Sequence, residues 1–253
     1  MKTTNNINTV SILGIKVSNA SSEEAIALIE SLLTGDSEMT HPIYIVNAHT
    51  LNLAADDPGY HETLNSAYRV FGDGTGVRWA ARQRGVLMRD NLVGTDLIPK
   101  LFESTSGRGY RYFILGGDLD TNARAADACS KRYPGWDLAG FHHGYLSKDK
   151  TTEVIKVIND AKADMLLVGM GNPKQEQWIH DHLYELEVPV AIGVGGLLDH
   201  WAGNLTRAPL WVRKKGFEWL QLLLQQPHKW KRYLIGNPKF LVRILLSLST
   251  DRS

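Results

Sequence analysis

An apolar run, Met165-Leu-Leu-Val168, stops at Gly169 and Gly171 and gives way at once to Asn172-Pro-Lys-Gln-Glu176. The run reads as a buried strand and its sequel as a helix start. Asn172 is the expected N-cap, Pro173 the first helical position, and Gln175 stands where a capping box takes Gln or Glu. A helix start exposes unpaired N–H groups and the positive end of the helix dipole, which suits an anion such as a phosphate. Lys174 adds positive charge there, and Gln175 and Glu176 add hydrogen-bonding groups. The same segment also reads as an ordinary strand-turn-helix joint without a ligand. The second chemical candidate is Asp73, between Gly72 and Gly74 in Gly72-Asp-Gly-Thr-Gly76. A carboxylate so placed can take a proton from an attacking hydroxyl. The competing reading makes it a turn residue that caps the helix from Gly76.

Other candidates carry less. Asp118 and Asp120 resemble an acidic pair that holds a divalent metal, but Asp120 reads better as the N-cap of the helix beginning at Thr121. His142 and His143 are adjacent, so on a strand their side chains should point apart and not share a metal. No other His/Cys spacing suggests a metal cage, and no nucleophile elbow or Cys/His signature stands out. Cys129, the single cysteine, falls on a helix face with Ala125, Ala126 and Ala128 and is expected as a small buried residue. A P-loop is absent from the sequence. The glycines fit the dinucleotide fingerprint poorly: Gly72, Gly74 and Gly76 have the wrong spacing, and Gly171 is followed by Asn-Pro.

The elements that must position these residues alternate. Strands are expected over 43–47, 68–72, 110–116, 136–141, 165–169 and 190–195. Helices are expected over 23–33, 59–67, 76–83, 95–103, 121–132, 150–161 and 173–184. The first helix has a capping box in Ser21 and Glu24. Such alternation predicts an α/β fold: a mostly parallel sheet with helices on both faces and ligands at the carboxyl ends of its strands. Those ends carry Asn47-Ala-His-Thr50, the Asp73 segment, Leu115-Gly-Gly-Asp118, the Gly169 motif and Gly193-Val-Gly-Gly-Leu-Leu-Asp199. Repeated glycines along one sheet edge imply that backbone approaches a ligand, as in a nucleotide-type site.

The chain has 253 residues, 43% of them hydrophobic, and a net charge of +1, so it is globular with no global preference for nucleic acid. One cysteine fits a reducing compartment, and the polar first nine residues lack a signal-peptide core. No stretch approaches the ~20 apolar residues of a membrane span. Charge is uneven locally: residues 207–243 hold nine Lys/Arg against one acid, Glu218. Trp201, Trp211, Trp219 and Trp230 lie in or just before this segment. Residues 207–225 read as one helix, and Gly236-Asn-Pro-Lys239 opens a last one running to Ser247. Such basic, aromatic helices pack on the domain, form a homo-oligomer interface or lie at a membrane surface. Three units are thus expected: a disordered tail over 1–9, a catalytic domain over 10–204 and a basic-aromatic appendage over 205–253.

The chain resembles the WecG/TagA/CpsF glycosyltransferases of bacterial cell-surface polysaccharide synthesis, from about residue 12 to 233. The resemblance rests on Val46-Asn-Ala48, Gly72-Asp-Gly-Thr-Gly-Val77, Gly94-Thr-Asp-Leu97, Leu115-Gly-Gly117 and Tyr133-Pro-Gly135. It continues through Gly140, Gly144-Tyr145, the segment from Gly169 to Glu176, Gly193-Val-Gly-Gly196, Gly203, Arg207-Ala-Pro209 and Glu218-Trp219. It implies a Rossmann-like domain with a membrane-seeking C-terminal appendage. It also implies inverting, metal-independent transfer from a UDP-sugar to a polyprenyl-diphosphate-linked saccharide, in exopolysaccharide or cell-wall polymer synthesis, with no cofactor.

By the same resemblance Asp73 is the catalytic base. Asn47, Gly72, Gly74, Thr75, Gly116, Gly117, Gly169, Gly171, Lys174, Gln175, Glu176, Gly195 and Asp199 form the nucleotide-sugar site. Arg207, Arg213 and Arg232 are the candidates for the acceptor diphosphate. The implied location is cytoplasmic, on the inner face of the cell membrane against its anionic surface. One position departs from the family pattern: Ile45 stands where a threonine is frequent, which bears on sugar specificity. Competing readings are a nucleotide-binding regulatory protein without catalysis, and a nucleotide-sugar epimerase or dehydrogenase. Neither has an evident use for the basic-aromatic C-terminus.

Overall fold

The computed structural model describes residues 7–35, 39–214 and 216–250. The chain first forms a hairpin, β1 (Thr9–Ile12) and β2 (Ile15–Ser18), turned through Leu13 and Gly14. Thr9, placed in the expected tail, therefore opens a strand, and residues 1–6 of that tail lie outside the described residues. Helix α1 (Ser22–Leu33) has its capping box: Glu24 N donates to Ser21 Oγ at 3.2 Å and Ser21 N to Glu24 Oε2 at 3.0 Å. Then come β3 (His41–Val46), α2 (Ala48–Asp56), α3 (Pro58–Asn65), β4 (Arg69–Gly72) and α4 (Gly74–Gln83). The middle of the chain gives α5 (Gly94–Ser104), β5 (Arg111–Gly116), α6 (Leu119–Arg132), β6 (Asp137–His142) and α7 (Lys148–Asp160). It continues with β7 (Met165–Gly169), α8 (Lys174–Asp181), β8 (Val190–Gly193) and α9 (Leu197–Trp201).

Eight strands form one sheet in the order β1-β2-β4-β3-β8-β7-β5-β6, with only the β1–β2 pair antiparallel. Helices cover both faces. Strand alternation builds two cores: Ile43, Ile45, Tyr112, Ile114, Met165 and Leu167 face one, and Tyr44, Val46, Phe113, Leu115, Leu166 and Val168 face the other. Register then places the glycine-bearing ends together, with Val46 opposite Gly72, Gly116 opposite Gly169 and Val168 opposite Gly193. Cys129 is fully buried on α6 in the first core, as expected.

The C-terminal region corrects one expectation. Residues 207–225 form two short helices, α10 (Leu210–Lys214) and α11 (Glu218–Gln225), not one. Gly216 separates them at φ +78°, a left-handed conformation that ends helices, and a Cβ there would meet Thr75 Cγ2 at 2.5 Å. That close approach seats the turn on the start of α4. A single 3₁₀ turn, Pro227–Lys229, leads into α12 (Trp230–Leu234) and α13 (Gly236–Thr250).

Helix α13 packs on α2 and α4. Phe240 and Ile244 are buried in the second core, each stabilising the docked helix by about 1.5–3 kcal/mol. Lys239 and Arg243 both pair with Asp56, whose carboxyl they hold down at about 2. Its other face leaves Leu241, Val242, Leu245 and Leu246 exposed. Among the described residues no helix is long and apolar enough to cross a membrane.

Candidate active site

The carboxyl ends of β4, β3, β8, β7 and β5 open into one cleft of about 760 Å³, closed on its far side by residues from the C-terminal helices. Asn47, Asp73, Gly74, Thr75, Gly117, Gly169, Gly171, Lys174, Gln175, Gly195, Asp199, Arg207, Arg213 and Arg232 all line it, as does Ile45. Gly72, Gly116 and Glu176 do not, and each has a packing reason to be what it is. A Cβ at Gly116 would stand 2.3 Å from Gly169 O, so glycine there permits the close approach of β5 and β7. A Cβ at Gly72 would meet Val77 Cγ1 at 2.8 Å, where α4 folds back over β4.

Glu176 is fully buried behind the cleft wall. Its Oε2 accepts from Tyr60 Oη at 2.9 Å, and its Oε1 from Asn172 Nδ2 at 2.6 Å and Gln175 Nε2 at 2.7 Å. Burial pushes its carboxyl up to about 7 against the pull of those three donors. Gln175 turns its other end outward, where Oε1 accepts from Gly171 N at 3.2 Å and Gly195 N at 3.0 Å. It thereby ties the loop after β7 to the loop after β8. The expected capping box is not formed for this reason, because the Gln175 and Asn172 side chains are both committed elsewhere. Helix α8 starts at Lys174 with no side-chain cap, and Lys174 is exposed in the cleft.

Asp73 occupies the N-cap position of α4, yet its side chain makes no capping hydrogen bond. Asn91 supplies the cap instead, accepting from Gly74 N at 2.6 Å through Oδ1. The Asp73 carboxyl is therefore left half-buried in the cleft. Burial and then the Glu218 carboxylate push it up to about 7, opposed by Arg232 and Arg207, with Asp96 adding to the rise.

Asn47 caps α2, accepting from His49 N at 3.0 Å and Thr50 N at 3.2 Å. His49, beside it in the cleft, is pushed down to about 4 by burial, Arg232 and Lys229. Asp199 takes a bond from Asn204 Nδ2 at 3.3 Å.

Two sets of cations face Asp73 from the C-terminal side. Arg207 Nη2 donates to Asp96 Oδ2 at 2.7 Å while its Nε lies 3.3 Å from Glu218, and Arg213 Nη1 donates to Asp96 Oδ1 at 3.1 Å. This set is neutralised internally. Lys229 and Arg232 form the other, and among the described residues neither has a carboxylate within ion-pair distance. Burial and then Arg232 hold the Lys229 ammonium below its usual range. Trp219 and Tyr233 border the cleft with ring centroids 6.3 Å apart.

Two further expectations are corrected. Asp118, not Asp120, caps α6, accepting from Thr121 N at 2.7 Å, while Asp120 takes Arg124 Nε at 2.9 Å. The His142 and His143 rings lie 4.4 Å apart, because β6 ends at His142 and strand alternation stops there. Among the described residues no group of three or more His, Cys, Asp or Glu is placed to hold a metal. His49, Asn91 and Lys229 also line the cleft, with no local signal in the sequence that marks them as site residues. Glu218 and Trp219, which the sequence marks through the basic-aromatic segment and the family motif, line it too.

A model of the glycosyl transferase WecG/TagA/CpsF family matches residues 10–253. The N-acetylglucosaminyldiphosphoundecaprenol N-acetyl-beta-D-mannosaminyltransferase of Bacillus subtilis (strain 168) is 31% identical over 210 residues, covering 83% of this chain and 81% of the relative. The protein of the same name from Staphylococcus aureus (strain MRSA252) is 32% identical over 237 residues, covering 93% and 91%. This chain belongs to the WecG/TagA/CpsF family of glycosyltransferases.

Proposed function

We propose that this glycosyltransferase moves an N-acetylmannosamine-type sugar from a UDP-sugar to N-acetylglucosamine carried on a polyprenyl diphosphate, with inversion, during assembly of a cell-wall or exopolysaccharide polymer. The single observation that carries the reading is Asp73, an uncapped carboxyl pushed up to about 7 at one end of a cleft whose wall is the start of α8. Asp73 accepts the proton of the attacking acceptor hydroxyl. That oxygen bonds to C1 of the donor sugar on the face opposite the leaving group. The C1–O bond to UDP breaks, and UDP departs with the electron pair. A base near neutrality suits this transfer, since it is ionised at working pH and still basic enough to take the proton.

The α8 N-terminus and Lys174 supply positive potential for the departing diphosphate, which supports a metal-independent mechanism. The relatives' names supply the acceptor and sugar classes. The C-terminal helices support contact with an anionic membrane, because Trp211, Phe217, Leu224 and Trp230 are exposed in a basic segment. Such contact would set the protein peripherally on the membrane that carries its lipid acceptor, on the inner face that the family resemblance implies.

The test is a transfer assay with UDP-N-acetylmannosamine and an N-acetylglucosaminyl diphosphate lipid, run with and without EDTA and with UDP-glucose and UDP-N-acetylglucosamine as competing donors. A disaccharide product that survives EDTA is expected. Activity abolished by EDTA and restored by Mg²⁺ or Mn²⁺ would overturn the metal-independent part, and preference for another donor would reassign the sugar. Flotation with anionic vesicles at low salt checks the membrane contact, and a protein that stays at the bottom refutes it.

A further inference from the structure

A second recess, of about 380 Å³, adjoins the main cleft, and Arg207, Arg213 and Thr95 line both. Its lining is of two kinds. Pro99, Leu197, Trp201 and Leu205 are apolar. Lys100 and Arg132 add two cations, so with the two shared arginines four positive groups meet two carboxylates, Asp96 in the recess and Glu218 beside Arg207. Among the described residues neither Lys100 nor Arg132 has a carboxylate within ion-pair distance. His200 adds no charge, since burial and then Arg207 hold it below its usual range. The Thr95 hydroxyl is buried and has no hydrogen-bond partner in the protein.

The shared arginines are not used up by Asp96. Arg207 gives Asp96 one bond from Nη2 and aims Nε at Glu218, and Arg213 gives Asp96 its Nη1 and the Ala208 carbonyl its Nε. A guanidinium carries five N–H donors, so each keeps some for another anion. Excess positive charge beside an apolar lining fits an anion joined to a hydrocarbon, and free phosphate would leave that lining without use.

We propose that this recess receives the diphosphate and first isoprenoid units of the lipid acceptor, whose sugar reaches Asp73 past Arg207 and Arg213. The inference rests on the transfer reaction proposed above. It adds Lys100 and Arg132 as diphosphate contacts, and Pro99, Trp201 and Leu205 as the surface under the chain.

The experiment titrates farnesyl diphosphate into the full chain by calorimetry, with inorganic diphosphate and farnesol as separate arms. Farnesyl diphosphate should bind more tightly than either part alone, and saturating UDP should not displace it. Lys100→Ala with Arg132→Ala should weaken it roughly tenfold or more and leave UDP affinity unchanged, with Lys100→Arg and Arg132→Lys restoring it. Both side chains are exposed, so the core is not disturbed. Equal affinity in the double-alanine protein, or displacement by UDP, overturns the recess. A parallel transfer assay separates the two readings. Intact farnesyl diphosphate binding without sugar transfer refutes the reaction and leaves the recess standing. Normal transfer with an unchanged acceptor KM in the double-alanine protein refutes the recess and leaves the reaction standing.

Discussion

The two walls of the cleft are built by different means. The wall under the strand ends is backbone: Gly117, Gly169, Gly171 and Gly195 face the space, and Gln175 and Glu176 brace their loops from behind through buried hydrogen bonds. The C-terminal wall is side chain: Arg207 projects from the loop before α10, Arg213, Glu218, Lys229 and Arg232 from short helical turns, and α11 has no buried residue. A braced backbone wall offers one shape and suits a ligand with fixed dimensions. Charged side chains on lightly packed helices can exchange partners, which suits an amphiphilic lipid. Asp73 sits where the walls meet, and its carboxyl feels both: β4 places it, and Glu218, Arg232 and Arg207 set its charge state.

The largest effect should come at that meeting point. Asp73→Asn should lower turnover by roughly 10²–10⁴-fold. It should also raise the melting temperature at pH 8. The folded carboxyl sits at about 7 against an ordinary value of 3.8, so its ionised form is penalised in the fold. The stability it contributes is greatest below pH 3.8 and falls as pH climbs to 7. A folded Asn variant with near-normal turnover would remove Asp73 from the role.

Breaking the side-chain wall should come next. Arg207→Ala should raise the acceptor KM by about tenfold or more while UDP binding persists. A rise in donor KM instead would mean that the two walls do not divide the substrates.

The backbone wall should respond in the opposite sense and more weakly. Tyr60→Phe leaves Glu176 with two of its three side-chain donors and should cost about 1 kcal/mol in denaturant unfolding. Its kinetic signature should be a raised donor KM at constant acceptor KM. Equal change in both would show that the brace serves the whole cleft.

The smallest and sharpest test is a pH profile. Asp73 acts only when ionised, so kcat/KM should rise with pH through about 7. Glu218 contributes to that raised value, and Glu218→Gln should move the acid limb to lower pH without lowering the plateau. An unmoved limb would show that α11 does not couple to the base.

Much of the fold was legible because its signals are local. Apolar runs such as Met165-Leu-Leu-Val168 became buried strands, and Ser21 with Glu24 formed the capping box that their spacing requires. The β1–β2 hairpin and α2 escaped notice because four-residue strands and a weakly periodic helix carry little pattern. The break at Gly216 was hidden by apolar residues on both sides of it.

The sequence by itself determined which strand ends gather at the cleft, since strand alternation and glycine-bearing strand ends are properties of the chain read in order. Only the tertiary structure decided what each residue does there. Asn91, eighteen positions beyond Asp73 in the chain, takes over the cap and frees the carboxyl. Tyr60, from α3, meets Glu176 and turns an expected ligand contact into a brace. Asp96 and Glu218 neutralise Arg207 from two separate helices. A side chain's role depends on which donors and charges stand within a few ångströms of it, and those neighbours come from distant parts of the chain.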